Sequence, residues 1–185
     1  MSKLKIGVVV GSTSQQSINR RLAQGLVGLA RDQADFEFLD IGHLPVYNRD
    51  FDGTPAAKPF EEFKSRIRGC QGMLFVTPEH NRSVPAALKN ALDGGSRPYG
   101  QSAWSGIPAA VIGCSPGGAG TAMAQQHLRN IFVFLDMPTM QQPEGFVQWK
   151  EGLIDAEGNI GPASHDFLAR YMNRFLDWVR LHQRA

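Results

Sequence analysis

Three stretches of the chain predict an α/β fold in which helices cover both faces of a parallel sheet. Residues 6–10, 72–76 and 109–113 are short apolar runs without polar alternation, as expected of strands buried on both faces. Each run is followed by a loop of small or polar residues and then by a segment with helical spacing. Strands that alternate with helices in this way favour a doubly wound parallel sheet.

The other elements of the first half follow in chain order. Helical spacing of apolar residues begins at Ile18, and residues 36–40 alternate like an outer strand. Residues 41–55 form a long segment rich in Gly, Pro, Asn and Asp, and a loop of that length usually lies over a site or an interface. Residues 58–68 have the spacing of a helix that precedes the second apolar strand.

The second half predicts three helices and a last strand. A helix over residues 86–92 begins after Pro85, which suits a first-turn position. A long helix covers residues 121–134, and residues 137–140 are interpreted as a last short strand, the fifth of the sheet. An aromatic stripe at helical spacing marks a closing helix over residues 164–182.

Composition limits the class of protein. The 185 residues suit one domain, residues 1–185, that buries a proper core. The net charge of +2 is too small to indicate a nucleic-acid or membrane surface. Two cysteines match no metal spacing and favour a reducing compartment, so no metal site is expected. With no signal peptide or membrane span apparent, the sequence predicts a soluble cytoplasmic protein.

The topology brings three loops to one edge of the sheet. Right-handed crossovers place residues 11–17, 77–83 and 114–120 at the carboxyl ends of the strands. A ligand of a doubly wound sheet binds at that edge, beside the switch in strand order. In a flavodoxin-like three-layer sandwich, with strand order 2-1-3-4-5, the switch lies between the first and third strands, which carry the first two of these loops. We therefore expect one site formed by three loops.

The first loop has the properties of an anion site. Residues 11–17 contain four hydroxyl groups between a strand and a helix N-terminus, where backbone N–H groups and the helix dipole favour negative charge. The alternative is an ordinary turn in which Ser17 is the helix N-cap. The loop matches neither the P-loop nor the dinucleotide-binding pattern, and no cysteine–arginine phosphatase loop is present. What remains suits a phosphate monoester such as that of FMN.

The other two loops suit the ring end of the same ligand. Residues 78–81 form a stiff segment that carries an amide side chain. Gly117, Gly118 and Gly120 allow the backbone to approach a flat ring closely, although they are also consistent with a turn that simply leads into a helix.

These motifs together resemble the NADPH-dependent FMN reductase family, which includes bacterial quinone, chromate and azo-dye reductases. The matching residues are Gly11, Ser12, Ser17 and Asn19, then Pro78-Glu79-His80-Asn81, Ser83, Pro85, Leu88-Lys89-Asn90-Ala91, Asp93 and Ser96-Arg97, and later Gly118, Gly120, Ala124-Gln125, His127-Leu128-Arg129 and Phe134-Leu135. The resemblance spans roughly residues 4 to 145 in order. It implies a flavodoxin-like fold, non-covalent FMN, and a homodimer or homotetramer.

The resemblance also implies an activity and a set of site residues. Hydride passes from NADPH or NADH to FMN N5 and then, in a ping-pong cycle, to a small-molecule acceptor such as a quinone, azo compound, metal oxyanion or free flavin. The residues implied at the phosphate are Ser12, Ser14, Ser17 and Asn19 with the backbone of Gln16 and Ile18, and those at the ring are Pro78, Glu79, His80, Asn81, Arg82, Ser115, Gly117 and Gly118. His80, Asn81 and Arg97 are the candidate catalytic residues. Arg97 would bind the NADPH phosphate or the acceptor, with a helix-end cation as the alternative.

Three positions depart from the family pattern. Ser14 stands where the family commonly has Arg, so the first loop has no cation of its own. His80 stands where Tyr is common, and Arg82 where another aromatic residue is frequent. Two other classes therefore stay open: an electron carrier or FMN-binding regulator, and a domain that has lost FMN. A carrier is disfavoured because carriers tend to be strongly acidic.

Overall fold

A computed structural model describes residues 3–183 and contains one parallel sheet between two layers of helices. The strands are β1 (Leu4–Val10), β2 (Ala34–Phe38), β3 (Gly72–Val76), β4 (Ala109–Ser115) and β5 (Gly145–Gln148). Their order in the sheet is β2-β1-β3-β4-β5, and every neighbouring pair is parallel. The predicted flavodoxin-like order is thus confirmed.

Within residues 3–183, five α-helices cover the sheet. They are α1 (Ile18–Ala30), α2 (Lys58–Arg68), α3 (Ala86–Gly95), α4 (Ala122–Phe134) and α5 (Pro162–Leu181), and two short 3₁₀ turns, Arg49–Phe51 and Pro55–Ala57, lie in the long loop before α2. Helices α1 and α5 pack on one face of the sheet, and α2, α3 and α4 pack on the other. No helix in residues 3–183 is long and apolar enough to cross a membrane.

Two hydrophobic cores explain the uninterrupted apolar strands. In β1, Ile6, Val8 and Val10 face the α1/α5 core, whereas Val9 faces the core under α2, α3 and α4. The residues of β3 divide in the same way, with Phe75 on the second side. A strand with helices on both faces needs an apolar side chain at every position, which produces the continuous pattern in the sequence.

The predicted strand over residues 137–140 is wrong. This segment forms an isolated bridge to the start of β4, in which Met140 N–H donates to Ala109 O at 2.8 Å and Ala109 N–H donates to Pro138 O at 2.8 Å. The fifth strand is β5 instead. It has four residues that alternate between buried and exposed, so its sequence signal is weak. Gly145 lies against Ile112, and a Cβ at this position would come within 2.5 Å of that side chain.

Several element boundaries differ from the predictions: β1 begins two residues earlier, α4 begins one residue later, and α5 begins two residues earlier and ends one residue earlier. Strand β2 begins and ends two residues earlier than residues 36–40. Helix α3 continues to Gly95, because Gly94 packs on Phe60 and Gly95 packs on Trp104 with no room for a Cβ. Strand β4 continues to Ser115 because its last residues pair with β5. Helix α2 and strand β3 have the predicted bounds.

Candidate active site

The three loops that follow β1, β3 and β4 meet at the carboxyl edge of the sheet. Gly11 N–H donates to Val76 O at 2.9 Å, and a Cβ at Gly11 would lie 3.0 Å from Thr77 Oγ1. This contact joins the first loop to the second. Asn19, at the start of α1, joins the first loop to the third through two hydrogen bonds to Cys114. The three loops therefore form one continuous rim.

The first loop presents backbone donors and hydroxyls but no charge. Ser17 is the N-cap of α1, and its Oγ accepts from Arg20 N–H at 3.2 Å. The N–H groups of the first helical turn have no partner within the helix and are oriented toward its N-terminus. Ser12 is half-buried, while Ser14 and Gln16 are exposed. Since residues 11–19 include no Lys, Arg or His, a bound anion would rely on N–H groups, hydroxyls and the helix dipole.

Asn19 has a structural contact that sequence reasoning did not anticipate. Its side chain is 1% exposed, its Nδ2 donates to Cys114 O at 2.9 Å, and its Oδ1 accepts from Cys114 N–H at 2.9 Å. Both ends of the amide are thus occupied. A contribution of Asn19 to phosphate binding would come from its backbone N–H in the first turn of α1, and its side chain holds α1 against β4.

The second loop ends in a tight, strained turn. His80 N–H donates to Ser83 O at 3.0 Å, and Ser83 N–H donates to His80 O at 2.9 Å. Between them, Asn81 and Arg82 have positive φ values of 50° and 64°. Two consecutive left-handed residues form a type I′ turn, in which a residue such as Arg is unfavourable. The turn holds His80, Asn81 and Arg82 exposed at the edge of the sheet.

Glu79 connects the second loop to the N-terminus of α4, the helix that follows the third loop. Its Oε2 accepts from Met123 N–H at 3.0 Å and from Ala124 N–H at 3.1 Å. Helix α4 needs this partner because Thr121, its N-cap residue, makes no side-chain capping bond. A carboxylate at a helix N-terminus also interacts favourably with the helix dipole. The sequence contains no local signal for a cap supplied from 44 residues away.

The third loop leaves open space beside its glycines. Ser115 Oγ donates to Gly117 O at 3.1 Å, and residues 116–119 are exposed. A Cβ at Gly118 would meet no atom within 4 Å, and a Cβ at Gly117 would meet only Ser115 Oγ at 3.6 Å. A flat ligand can therefore approach the backbone here. Together with the donors of the first loop, this open surface fits FMN, whose phosphate would lie at residues 12–19.

An aromatic side chain missed by sequence reasoning stands beside this loop. Trp149 follows β5, and its backbone N–H donates to Ser115 O at 2.8 Å. The guanidinium carbon of Arg21 lies 4.9 Å from the centre of the Trp149 ring, within the range of a cation–π contact. Because β5 was not predicted, no signal in the sequence placed Trp149 beside the three loops.

Arg97 does not lie with the other candidate catalytic residues in this chain. His80 and Asn81 precede the N-terminus of α3, whereas Arg97 follows its C-terminus. A ten-residue helix separates them by about 15 Å. Arg97 lines a different cleft, together with residues of the long loop before α2.

Neither cysteine is suited to nucleophilic chemistry. Burial raises the pKa of the Cys70 thiol to about 11 and that of the Cys114 thiol to about 12. Both thiols are therefore protonated at neutral pH, and the thiolate is the reactive form. The site offers binding groups for a redox cofactor rather than a nucleophile of its own.

Comparisons with known proteins show the family of the chain. Residues 4–150 match the family model described as NADPH-dependent FMN reductase. The chain is similar to a 2-hydroxy-1,4-benzoquinone reductase from Burkholderia sp, with 47% identity over 96% of this chain and 97% of the relative. It is also 44% identical to a quinone reductase from Pseudomonas putida, over 96% of each chain. The structure resembles FerB, a flavoenzyme NAD(P)H:(acceptor) oxidoreductase from Paracoccus denitrificans, with a TM-score of 0.91, 38% identity, and coverage of 98% of this chain and 100% of FerB.

Proposed function

The chain belongs to the NADPH-dependent FMN reductase family, and from that premise we propose that it is an FMN-dependent reductase of quinones that uses NAD(P)H. The observation that carries the proposal is the meeting of three loops at one edge of the sheet. There the first loop, residues 11–17, offers uncharged hydrogen-bond donors, and the third loop, residues 114–120, leaves open space beside its glycines. The relatives at 47% and 44% identity, both quinone reductases, support the choice of acceptor.

FMN, when bound, supplies the chemistry that accepts a hydride from NAD(P)H and delivers reducing equivalents to the acceptor. The protein's part is to bind and orient. We propose that Ser12, Ser17 and the first-turn N–H groups of α1 hold the phosphate, and that Gly117 and Gly118 allow the ring to approach the third loop. This assignment is supported by the exposure of residues 13–16 and 116–119, and by the lack of an acidic residue between positions 11 and 19 that would repel a phosphate.

His80 and Asn81 would border the space used by the dinucleotide and by the acceptor. Both are exposed, and the backbone hydrogen bonds of the I′ turn fix their place in the chain. An imidazole at this place is able to donate a proton to a quinone oxygen as the quinone becomes a hydroquinone. We propose that the dinucleotide and the quinone use this space in turn. That arrangement predicts ping-pong kinetics, with parallel lines in double-reciprocal plots at several quinone concentrations.

A homodimer or homotetramer also belongs to the proposal. At the C-terminal end of α4, Val133 is 81% exposed and Phe134 is 74% exposed, so two adjacent apolar side chains are uncovered in the single chain. Light scattering coupled to gel filtration tests this point. A monomer at micromolar concentration would contradict it.

The decisive experiment follows FMN and electrons separately. Purified protein is titrated with FMN, reduced anaerobically with NADPH, and then mixed with a benzoquinone. We expect FMN uptake at micromolar concentration, bleaching of the flavin absorbance, and return of the absorbance when quinone is added. A flavin-loaded protein that NADPH does not bleach would instead support an electron carrier. No FMN uptake would overturn the site assignment.

A substitution of His80 tests whether its imidazole acts on the acceptor. His80→Gln is expected to lower kcat for quinone reduction while FMN retention stays unchanged, because the imidazole would act on the acceptor and not on the cofactor. Arg174→Ala, on the exposed face of α5, is the matched control and is expected to change neither property. Equal kcat for His80→Gln and the unmodified protein would show that His80 donates no proton in quinone reduction.

A further inference from the structure

A further hydrogen bond attaches the turn at residues 80–83 to helix α4. Oγ of Ser83, the last residue of the turn, lies 2.9 Å from Nδ1 of His127, which is in the second turn of the helix. These two residues and His80 line one groove of about 700 Å³ between α3 and α4. Helix α4 thus contributes to the groove that contains His80 and is bonded to the turn that carries it.

The turn needs such support because its backbone is unfavourable. Asn81 and Arg82 have φ values of 50° and 64°, which residues other than glycine rarely adopt. A conformation of this kind persists only where the surrounding contacts determine it. Before the turn, the Glu79 carboxylate accepts from the first N–H groups of α4, and after the turn Ser83 is bonded to His127. The strained segment is therefore held at both ends by the first two turns of one helix.

The contact between Ser83 and His127 forms in either protonation state of the imidazole. A hydroxyl group is both a donor and an acceptor. When Nδ1 carries no proton, the Ser83 hydroxyl donates to it, and when Nδ1 carries a proton, it donates to Ser83 Oγ. His127 therefore holds the turn whether or not it is charged, which suits a residue that positions another group.

From Ser83 the restraint passes to His80 through the backbone. Ser83 N–H donates to His80 O at 2.9 Å, and His80 N–H donates to Ser83 O at 3.0 Å. Within residues 3–183, the exposed His80 imidazole makes no hydrogen bond of its own. The location of this imidazole is thus determined by the backbone of the turn, and so by the contacts that hold the turn.

We propose that His127 is a positioning residue, which through Ser83 fixes the turn that brings His80 to the acceptor. This inference rests on the proposed reductase function, in which His80 donates a proton to the quinone. His127 acts through Ser83 and does not itself exchange a proton with the quinone. Without the contact, the turn adopts other conformations, and His80 is in the productive place for a smaller fraction of the time.

The first test measures the turn directly, without any redox step. Hydrogen exchange of the His80 and Ser83 backbone amides is followed by NMR in the purified protein. His127→Leu should speed the exchange of both amides about two- to tenfold, as the loss of one hydrogen bond implies. His127→Asn should behave as the unmodified protein does, because an asparagine side chain places a polar atom where Nδ1 lies. His127→Gln places its amide one bond farther out and should behave like His127→Leu.

Two further variants test whether the effect belongs to this contact. Ser83→Ala should speed the exchange of the His80 amide by the same factor as His127→Leu, and the double variant should show no additional effect. Gln126→Ala removes an exposed polar side chain from the same turn of α4 and should change nothing. Unchanged exchange in His127→Leu, or an equal acceleration in Gln126→Ala, would overturn the proposal.

The second test asks whether the contact acts through His80. FMN-loaded protein is reduced with NADPH, and the rate of flavin reoxidation by a benzoquinone is measured in a single turnover. His127→Leu should slow reoxidation about two- to tenfold, whereas His127→Asn should keep the unmodified rate. In the His80→Gln background, His127→Leu should cause no further loss, because a positioning residue has no effect once the group that it positions is absent. An equal loss in both backgrounds would contradict the positioning role.

The two tests separate this inference from the reductase function on which it rests. A bound flavin that NADPH does not reduce would contradict the reductase function, and faster exchange in His127→Leu would still support the attachment of the turn to α4. Normal reduction and reoxidation in His127→Leu, together with unchanged exchange, would refute the role of His127 alone.

Discussion

Replacing Asn19 with Ala separates a structural role from a cofactor-binding role. The family resemblance implies that Asn19 helps to hold the FMN phosphate, yet its side chain is buried and bonded at both ends to the backbone of Cys114. Asn19→Ala would leave the Cys114 N–H and C=O groups without partners in the interior. The structure therefore predicts a loss of stability that does not depend on FMN.

The magnitude follows from the two lost bonds. An unsatisfied buried polar group costs about 1–3 kcal/mol, so two groups cost roughly 2–6 kcal/mol in the free energy of unfolding. This is a large share of the ~5–15 kcal/mol that stabilises a typical domain. Ser17→Ala is the matched variant, because Ser17 lies two residues away and caps the same helix. Loss of that cap is expected to cost only about 1 kcal/mol.

Urea unfolding of the FMN-free protein, followed by circular dichroism, measures the loss in the free energy of unfolding for Asn19→Ala and for Ser17→Ala. Fluorescence titration with FMN then measures cofactor affinity for each variant that folds. The structural reasoning is refuted if Asn19→Ala unfolds within about 0.5 kcal/mol of the unmodified protein. If FMN affinity falls in that case, the Asn19 side chain contacts the phosphate directly, as the resemblance implies.

Other changes test the phosphate loop, the strained turn and an ion-pair cluster on β2. Ser14→Arg should lower the Kd for FMN about tenfold or more, since a charged hydrogen bond to the phosphate contributes ~1.5–3 kcal/mol. An unchanged Kd in fluorescence titration would mean that position 14 does not lie at the phosphate. Arg82→Gly should raise the free energy of unfolding by up to about 1 kcal/mol, because glycine adopts positive φ without the penalty of a side chain; a decrease in urea unfolding would mean that the Arg82 side chain itself stabilises the protein. Hydrogen bonds lower the pKa of Glu37, with the larger effect from Arg66 and the smaller from Lys5. The unfolded state therefore binds the proton more readily than the folded state, so the free energy of unfolding should fall as pH drops below about 4.3. Glu37→Gln should reduce this acid sensitivity in unfolding curves collected between pH 3 and 7, and an unaltered pH profile would argue against the Glu37 contribution.

Much of the fold, and the meeting of three loops at one edge of the sheet, could be predicted because the signals are local. Helix α2 and strand β3 have the predicted bounds, since helical spacing and an uninterrupted apolar run are visible within each segment. Short loops between buried strands and helices leave few possible topologies, so the position of the three loops at one edge follows from chirality. The same segments carry the motifs from which the cofactor was inferred.

What the tertiary structure decided depends on partners distant in sequence. Strand β5 has four residues and no strong pattern, and pairing with β4 defines it. Gly94 and Gly95 remain helical because two aromatic side chains pack on them, although glycines usually end helices. Glu79 and Asn19 are aligned with the cofactor motifs in sequence, yet in the fold their side chains cap α4 and bind Cys114.

The loop from Gly11 to Asn19 shows what the sequence determines and what the tertiary structure adds. Its strand–hydroxyl–helix order and its lack of a cation are properties of the sequence alone, and they predict an anion site that relies on N–H groups. The tertiary structure determined which groups remain available, because buried polar side chains must find partners and Cys114 occupies the Asn19 amide. It also placed Arg97 beside Arg49, a grouping that no spacing along the chain indicates, since two separate segments, residues 47–52 and 97–99, form that cleft only in the folded chain.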